Sequence, residues 1–409
     1  MSVVLRVPDR GQVSLQEVLH VVQEPGETLE PFAESLLTFA GELSKRLMAH
    51  PAARQFPDVV ALAYWMRPTE LRRLGVRFRS RLDPKVVPVA RGLVFHVPPS
   101  NVDTMFVYSW LLALLVANRN IVRLPTQTPA QVELLCDVLQ GLLAEPAFQA
   151  LVPTTAMVRY GHEEEITAAF SAVADVRMIW GGDETVATIR RVPLQARAKE
   201  ICFADRYSLS VMGARAFLEC REEERVSLCQ RFHSDIRWFD QMACSSPRLL
   251  VWVGGKETCE DAGALFRTLL AAAALQAGYA PQISSVLSKE AFAFSAILDK
   301  PVEQYFRLGN ALTILRLSSL KGLDRAHCGA GLLYECFADG LDDLLVFIGS
   351  KDQTLTYFGV PEDELRAWVR RAGTLSVDRI VPVGQALAFQ AIWDGFDLLH
   401  ELVRHVHVE

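Results

Sequence analysis

Val86-Val87-Pro88-Val89-Ala90-Arg91-Gly92-Leu93-Val94-Phe95-His96-Val97, closed by Pro98-Pro99-Ser100-Asn101, is the stretch whose reading sets the fold. Its β-branched residues suit a pleated, half-buried surface, and the paired prolines stop the run. An apolar helix follows from Phe106 to Ala117, and then the short strand Ile121-Val122-Arg123-Leu124-Pro125. Strand, turn, helix and strand in that order predict a βαβ unit of a parallel sheet. Toward the C-terminus the order repeats, with a helix over 131–143 and a strand over 155–160, then a helix over 163–174 and a strand over 176–180. Gly181-Gly182-Asp183-Glu184 ends that strand and leads into a helix over 185–192. Such alternation places loops at the carboxyl ends of strands, where α/β proteins bind ligands. Upstream, residues 14–74 read as helical, because Leu36, Leu37, Phe39, Ala40, Leu43 and Leu47 recur at helical spacing.

From Tyr207 the pattern restarts with a strand over 208–212 and a charged amphipathic helix over 222–232. Next comes Trp238-Phe239-Asp240-Gln241-Met242-Ala243-Cys244-Ser245-Ser246-Pro247, followed by the apolar run Arg248-Leu249-Leu250-Val251-Trp252-Val253 and an alanine-rich helix over 262–277. Cys244 lies among small residues just before a strand, where little bulk blocks the sulfur and backbone dipoles favour the thiolate. The alternative is a buried, inert thiol. The expected architecture is α/β, with a Rossmann-type cofactor domain and an α/β catalytic domain carrying the cysteine. The expected divisions are residues 1–213, 214–378 and 379–409.

Composition narrows the class. The 409 residues are 50% hydrophobic and 22% charged, as in a globular enzyme of two or three domains. A net charge of −6 argues against nucleic acid as partner, since duplex binding neutralises phosphates. The eight cysteines are scattered with no C-x-x-C pair, which reads as reduced thiols. His400, His405 and His407, with no cysteine nearby, read as a solvated tail rather than a zinc site, and no metal is expected. The N-terminus shows no charged leader before a long apolar region, and residues 106–117 are too few to span a bilayer. A cytoplasmic protein without a membrane span is expected.

Five segments taken in order resemble LuxC-type acyl-CoA reductases, a branch of the aldehyde dehydrogenase superfamily. They are Pro98-Pro99-Ser100-Asn101, Asn118-Arg119-Asn120-Ile121-Val122-Arg123-Leu124-Pro125, Trp180-Gly181-Gly182-Asp183, Asp205-Arg206-Tyr207-Ser208 and Phe239–Pro247. The resemblance runs from about Val87 to the C-terminus and takes in Lys351-Asp352-Gln353-Thr354 and Trp393-Asp394-Gly395. It implies NADPH-dependent reduction of an acyl thioester to an aldehyde through an acyl-cysteine on Cys244, with a long aliphatic acyl chain as the family default. Asn101 then takes the place of the superfamily asparagine that stabilises the oxyanion; its alternative is a helix N-cap, a role contributing about 1 kcal/mol. Arg123 stands near the superfamily lysine that meets the adenosine ribose, where a guanidinium would pair with a 2′-phosphate; a surface ion pair is the alternative. Gly181, Gly182 and Asp183 resemble the turn that packs against the dinucleotide at a helix N-terminus, with an ordinary strand-to-helix turn as the alternative.

The resemblance also points to a departure. Hydrolytic aldehyde dehydrogenases carry a water-activating glutamate, and its place here falls near Cys202, with Glu200 close by. His233 reads as a helix-end histidine with structural or solvated contacts, an acid or base role being the alternative, and Asp205 with Arg206 reads as a local ion pair that does not touch substrate. Implied partners are an acyl-CoA or acyl-carrier-protein substrate, an acyl-transferring enzyme and a second copy of the chain. The competing readings are an aldehyde dehydrogenase working oxidatively, hydrolytic or CoA-acylating, and a non-catalytic module that binds acyl carriers.

Overall fold

A computed structural model describes residues 1–23, 28–99, 101–278 and 280–409. The chain divides into two compact units, residues 1–204 with 389–409, and residues 205–388.

Up to residue 204 the first unit's strands are β1 (Ser2–Val7), β2 (Asp9–Ser14), β3 (Val86–Ala90), β4 (Leu93–Val97), β5 (Arg119–Leu124), β6 (Thr155–Arg159), β7 (Val176–Trp180) and β8 (Lys199–Phe203). Seven of them form one sheet in the order β2-β1-β6-β5-β4-β7-β8. The pairs from β6 to β8 are parallel, as the βαβ pattern requires. Helix Met105–Leu115 is buried along its whole length, which explains a segment apolar on every face. Its Trp110 Nε1 donates to Thr155 Oγ1 at 2.9 Å, tying the helix to β6.

Two features depart from the sequence reading. The run from Val86 to Val97 is not one strand. Gly92 breaks it at φ +134°, where an added Cβ would lie 2.0 Å from Asp175 Oδ2. That carboxylate accepts the Leu93 amide at 2.8 Å and so starts β4. β3 turns away and pairs antiparallel with Val403–His407, so the C-terminus is a strand, on which His405 and His407 stay exposed to solvent. The second departure is the N-terminal hairpin, in which β1 pairs antiparallel with both β2 and β6. Its alternation is readable in retrospect, because Val3, Leu5 and Val7 are buried while Ser2 and Val4 are exposed. Helices Leu15–Gln23, Glu34–Ala49, Pro57–Trp65 and Pro68–Ser80 fill the region expected to be helical.

The second unit holds β9 (Tyr207–Gly213), β10 (Pro247–Val253), β11 (Val302–Leu308), β12 (Leu312–Leu317), β13 (Leu332–Ala338), β14 (Asp352–Phe358) and β15 (Arg379–Pro382). They form a sheet in the order β11-β12-β13-β10-β9-β14-β15, parallel except for the β11–β12 edge. Gly213 ends β9 inside this unit, and residues 379–388 stay with it while 389–409 return to the first. Trp252, Phe217, Phe232 and Phe266 pack between the sheet and its covering helices. The buried Glu335 carboxylate accepts from Arg316, Arg267 and Trp252 at 2.8–3.1 Å, so its charge is fully paired. Among the described residues no single helix is long and apolar enough to cross a membrane.

Candidate active site

The loop that carries Cys244 begins where helix Glu222–Arg237 ends. Phe239, Asp240 and Gln241 follow at φ +55°, +49° and +64°. Left-handed backbone costs a non-glycine residue about 1–2 kcal/mol, so three in a row need strong contacts to persist. The buried Gln241 carboxamide supplies two: its Nε2 donates to Pro247 O at 2.8 Å, and its Oε1 accepts from Gly331 N at 3.1 Å. Ala330 N donates to Asp240 O at 2.7 Å. Gly329 permits that approach, since a Cβ there would sit 2.5 Å from the same carbonyl. Segment 329–331 thus clamps the turn that delivers Cys244 to the start of β10.

Around the sulfur, the second unit gathers groups from distant parts of the chain. Gln353, buried at the start of β14, donates through Nε2 to Cys244 Sγ at 3.4 Å. Ser208 Oγ donates to the Cys244 carbonyl at 2.7 Å and accepts from Thr354 N at 3.2 Å, joining β9, β14 and the cysteine loop. Arg248 is 2% exposed and donates only to carbonyls, those of Arg206 at 3.1 Å, Ala243 at 3.0 Å and Gln241 at 3.4 Å. Among the described residues no carboxylate forms an ion pair with it, and its buried Nε has no hydrogen-bond partner. Burial pulls this guanidinium below its ordinary pKa, while Tyr207, Cys244 and Asp205 act in the opposite sense. Tyr207 is itself pushed upward by burial and stays neutral. A buried cation that forms no ion pair favours negative charge nearby, and Cys244 is one of the groups that act on it.

The other thiols are in different settings. Burial pushes Cys136 and Cys229 up to about 12, and Cys202, Cys259, Cys328 and Cys336 up to about 11, which keeps them protonated. Cys244 is half-buried, beside an amide donor and a buried cation.

The remaining expected site residues belong to the first unit, along the carboxyl edge of its parallel strands. Asn101 follows β4 and is exposed, while Ser100 lies outside the described residues. The helix after it starts at Met105 with Thr104 at the N-cap position, three residues beyond Asn101. Arg123 sits near the end of β5, donating to Gly161 O with its guanidinium 4.7 Å from the Tyr160 ring centre. Gly181 and Gly182 follow β7, and Gly182 is the N-cap of helix Asp183–Arg190. A Cβ on Gly181 would press on Thr185 at 3.1 Å, so the glycine lets the turn close on its own helix. Asp183 and Glu184 occupy the first turn of that helix, where their charge already complements the helix dipole.

A family model described as acyl-CoA reductase (LuxC) matches residues 77–405. The chain belongs to the LuxC family of acyl-CoA reductases. Solved structures agree on the fold. A lactaldehyde dehydrogenase is 12% identical over 98% of this chain and 93% of its own, at a TM-score of 0.66. A putative aldehyde dehydrogenase from Burkholderia cenocepacia is 13% identical over 100% and 96%, at 0.67. A proline utilization A mutant from Bradyrhizobium japonicum is 15% identical over 97% of this chain and 45% of its own, at 0.66. No curated protein sequence matches the chain. The LuxC-family protein therefore has an aldehyde dehydrogenase-like fold, and the family is one of acyl reduction, of oxidoreductases acting on aldehyde or oxo groups with a nicotinamide cofactor.

Three residues of this LuxC-family site escaped the sequence reading. Gln353 was visible only as part of Lys351-Asp352-Gln353-Thr354, Arg248 as the first residue after Pro247, and Ser208 as the end of Asp205-Arg206-Tyr207-Ser208. Each motif was in view, but the contact of Gln353 with Cys244 spans 109 positions and follows only from strand order. The Glu200 carboxylate is engaged by Arg177 at 2.8 Å and Arg190 at 3.0 Å. Arg206 pairs with Asp378, which precedes β15. His233 is buried, and burial pushes it down to about 4.

Proposed function

We propose that this protein reduces an acyl thioester to the aldehyde with NADPH, through an acyl group held on Cys244. The observation that carries the reading is the setting of that sulfur, which has the Gln353 amide 3.4 Å away and the buried Arg248 guanidinium behind its loop. Both favour the thiolate, which is the nucleophile. The thiolate attacks the thioester carbonyl, the C–S bond to the donor thiol breaks, and that thiol leaves with its electron pair and a proton. The acyl group is now a thioester of Cys244. NADPH, when bound, supplies the hydride that reduces it. The resulting thiohemiacetal releases the aldehyde, and Cys244 leaves as the thiolate that Gln353 and Arg248 stabilise. The Asn101 carboxamide acts as donor to the oxyanion in both halves of the reaction.

The carboxyl edge of the first sheet fits a dinucleotide in its topology, with parallel strands and a helix N-cap at Gly182. Arg123 would hold the 2′-phosphate through the guanidinium face not used by Gly161, and the 181–183 turn would pack against the dinucleotide. Asp183 and Glu184 argue against a phosphate directly on their helix, so the turn contributes close approach rather than charge. Glu200 is held by two arginines, which supports reduction over hydrolysis because that carboxylate does not serve as a base for water.

The test is to incubate the full chain with acyl-CoA and no cofactor, then digest it and measure peptide masses. One acyl group on the Cys244 peptide, discharged as aldehyde when NADPH is added, is the expected result. An unmodified Cys244, or acid formed in place of aldehyde, would overturn the reading.

A further inference from the structure

A thioester at Cys244 has two sides. One is the acyl group, and the other is the thiol-bearing arm that departs. The second unit has a cavity of about 700 Å³ on its own, in the size range of small-molecule sites. It is lined by Asp205, Arg206, Asp324, Arg325, His327 and Lys351, with almost no apolar side chain. Such walls do not suit an aliphatic chain, because burying polar groups against hydrocarbon leaves them without partners.

The wall of this cavity is continuous with the cysteine site. Arg325 donates to both Asp352 oxygens, at 3.0 and 2.5 Å, and Asp352 directly precedes Gln353, the donor to Cys244 Sγ. The Arg206 carbonyl accepts from Arg248. His327 lies two residues before the 329–331 segment that clamps the left-handed turn. The His327 Nδ1 is buried with no hydrogen-bond partner among the described residues. Burial, and then Arg248, push this ring down to about 4, so it is neutral near pH 7 and has one donor and one acceptor nitrogen.

We propose that this cavity receives the phosphopantetheine arm of the acyl donor. The arm carries two amides and a hydroxyl, which need donors and acceptors at intervals, and it ends in a phosphate that needs a cation. The carboxylates of Asp205 and Asp324 and the free His327 nitrogen serve the first need. The cationic edge at Lys351, which is exposed at the rim, serves the second. The same arm is found in coenzyme A and on acyl-carrier proteins, so the cavity would read what the two donors share. This inference rests on the thioester chemistry proposed above, but binding of the free arm tests it separately.

The variants are Lys351→Glu, which reverses the rim charge, and Ser350→Tyr, which fills the cavity from a neighbouring lining position. Calorimetric titration of the full chain with 4′-phosphopantetheine should show affinity falling about ten- to a hundred-fold in Lys351→Glu, the range for loss of a charge-assisted contact. Ser350→Tyr should lower it at least as far, and pantetheine without phosphate should be weakened by Ser350→Tyr alone. In acylation of Cys244, acyl-CoA and acyl-carrier protein should both be slowed at low concentration, while an S-phenyl thioester, which has no arm, should react as in the native chain. Unchanged phosphopantetheine affinity in both variants would overturn the proposal. So would an equal loss toward the phenyl thioester, or a loss confined to acyl-CoA, which would place the nucleotide rather than the arm in the cavity. If the native protein binds the arm and the variants do not, yet no thioester acylates Cys244, the cavity assignment stands and the thioester reading fails.

Discussion

Gln353→Leu tests the sulfur's setting without touching Cys244 itself. Leucine keeps most of the side-chain bulk at a buried position and removes the amide that donates to Cys244 Sγ at 3.4 Å. A hydrogen bond to a charged group contributes about 1.5–3 kcal/mol. Sulfur spreads its charge and the contact is long, so the lower figure applies, about tenfold in the thiolate population below the titration midpoint. Alkylation of free Cys244 by iodoacetamide reads that population directly when the rate is followed by peptide mass across pH, with no substrate or cofactor present. The rate near pH 7 should fall about tenfold, and the midpoint should move to higher pH. Gln353→Glu, which sets a carboxylate against the thiolate, should lower the rate further. The Thr354 hydroxyl, which donates to Gln353 Oε1 at 3.4 Å, loses that weak partner, so melting temperature must be measured alongside. A Leu variant with native melting temperature, rate and midpoint would refute the claim that Gln353 activates the cysteine.

Four further outcomes are expected. Cys244→Ala should abolish aldehyde formation by several powers of ten while the melting temperature stays close to native, as read by cofactor oxidation and calorimetry. Asn101→Ala should lower turnover roughly ten- to a thousand-fold with little change in the Michaelis constants, the pattern of a lost oxyanion donor; a fall in melting temperature with turnover spared would make the residue structural. Arg123→Ala should narrow the preference for NADPH over NADH through the Michaelis constant for NADPH, and an equal loss toward both cofactors would remove the 2′-phosphate from its role. His96 is fully buried between Ser109 and Asn120, and burial pushes it down to about 4 from a usual 6.5. Below pH 6.5 the unfolded chain takes up the proton first, so stability present at pH 7 falls by about 3 kcal/mol as pH drops to 4, and urea unfolding of native and His96→Gln protein across that interval checks it.

The parts of the fold that were legible are those where one rule acts alone. β5, β6, β7 and β9 are buried on both faces, so they appear as short apolar runs whose limits follow from the residues alone. Gly92 shows where such reading stops. The run around it is β-prone on both sides, and the need for glycine there comes from its positive φ and from the tertiary contact with Asp175, neither of which is written in the run itself. The motif Trp393-Asp394-Gly395 has a similar history. It marked the family, and in the fold it is the turn of a small hairpin with Asp394 at φ +48° and Gly395 at +76°. That hairpin seats Trp393 against Tyr108 and Trp180, at ring separations of 5.7 and 6.2 Å. Cys244 could be singled out because its small neighbours and following strand are local features. Its supporting groups could not, because β9, β10 and β14 are brought together only by the order of the sheet.

The left-handed turn before Cys244 shows why the site needs more than a reactive residue. Three glycines in place of Phe239, Asp240 and Gln241 would relieve the backbone cost, yet the chain keeps three side chains there. Gln241 shows the reason. Its carboxamide bridges Pro247 and Gly331, so the side chain that makes the turn costly is also the one that fixes it. Each buried hydrogen bond contributes about 1 kcal/mol, and leaving either backbone partner unsatisfied would cost more. The offset therefore comes from contacts that also set where the next residues point. Strain held by the surrounding structure at one loop is a mark of a site whose geometry is fixed in advance. Here it fixes Ala243 and Cys244 against Arg248, whose Nη2 is 3.0 Å from the Ala243 carbonyl. A relaxed glycine turn would leave the sulfur free to swing away from Gln353 and from the buried charge, the two groups that the proposed chemistry needs beside it.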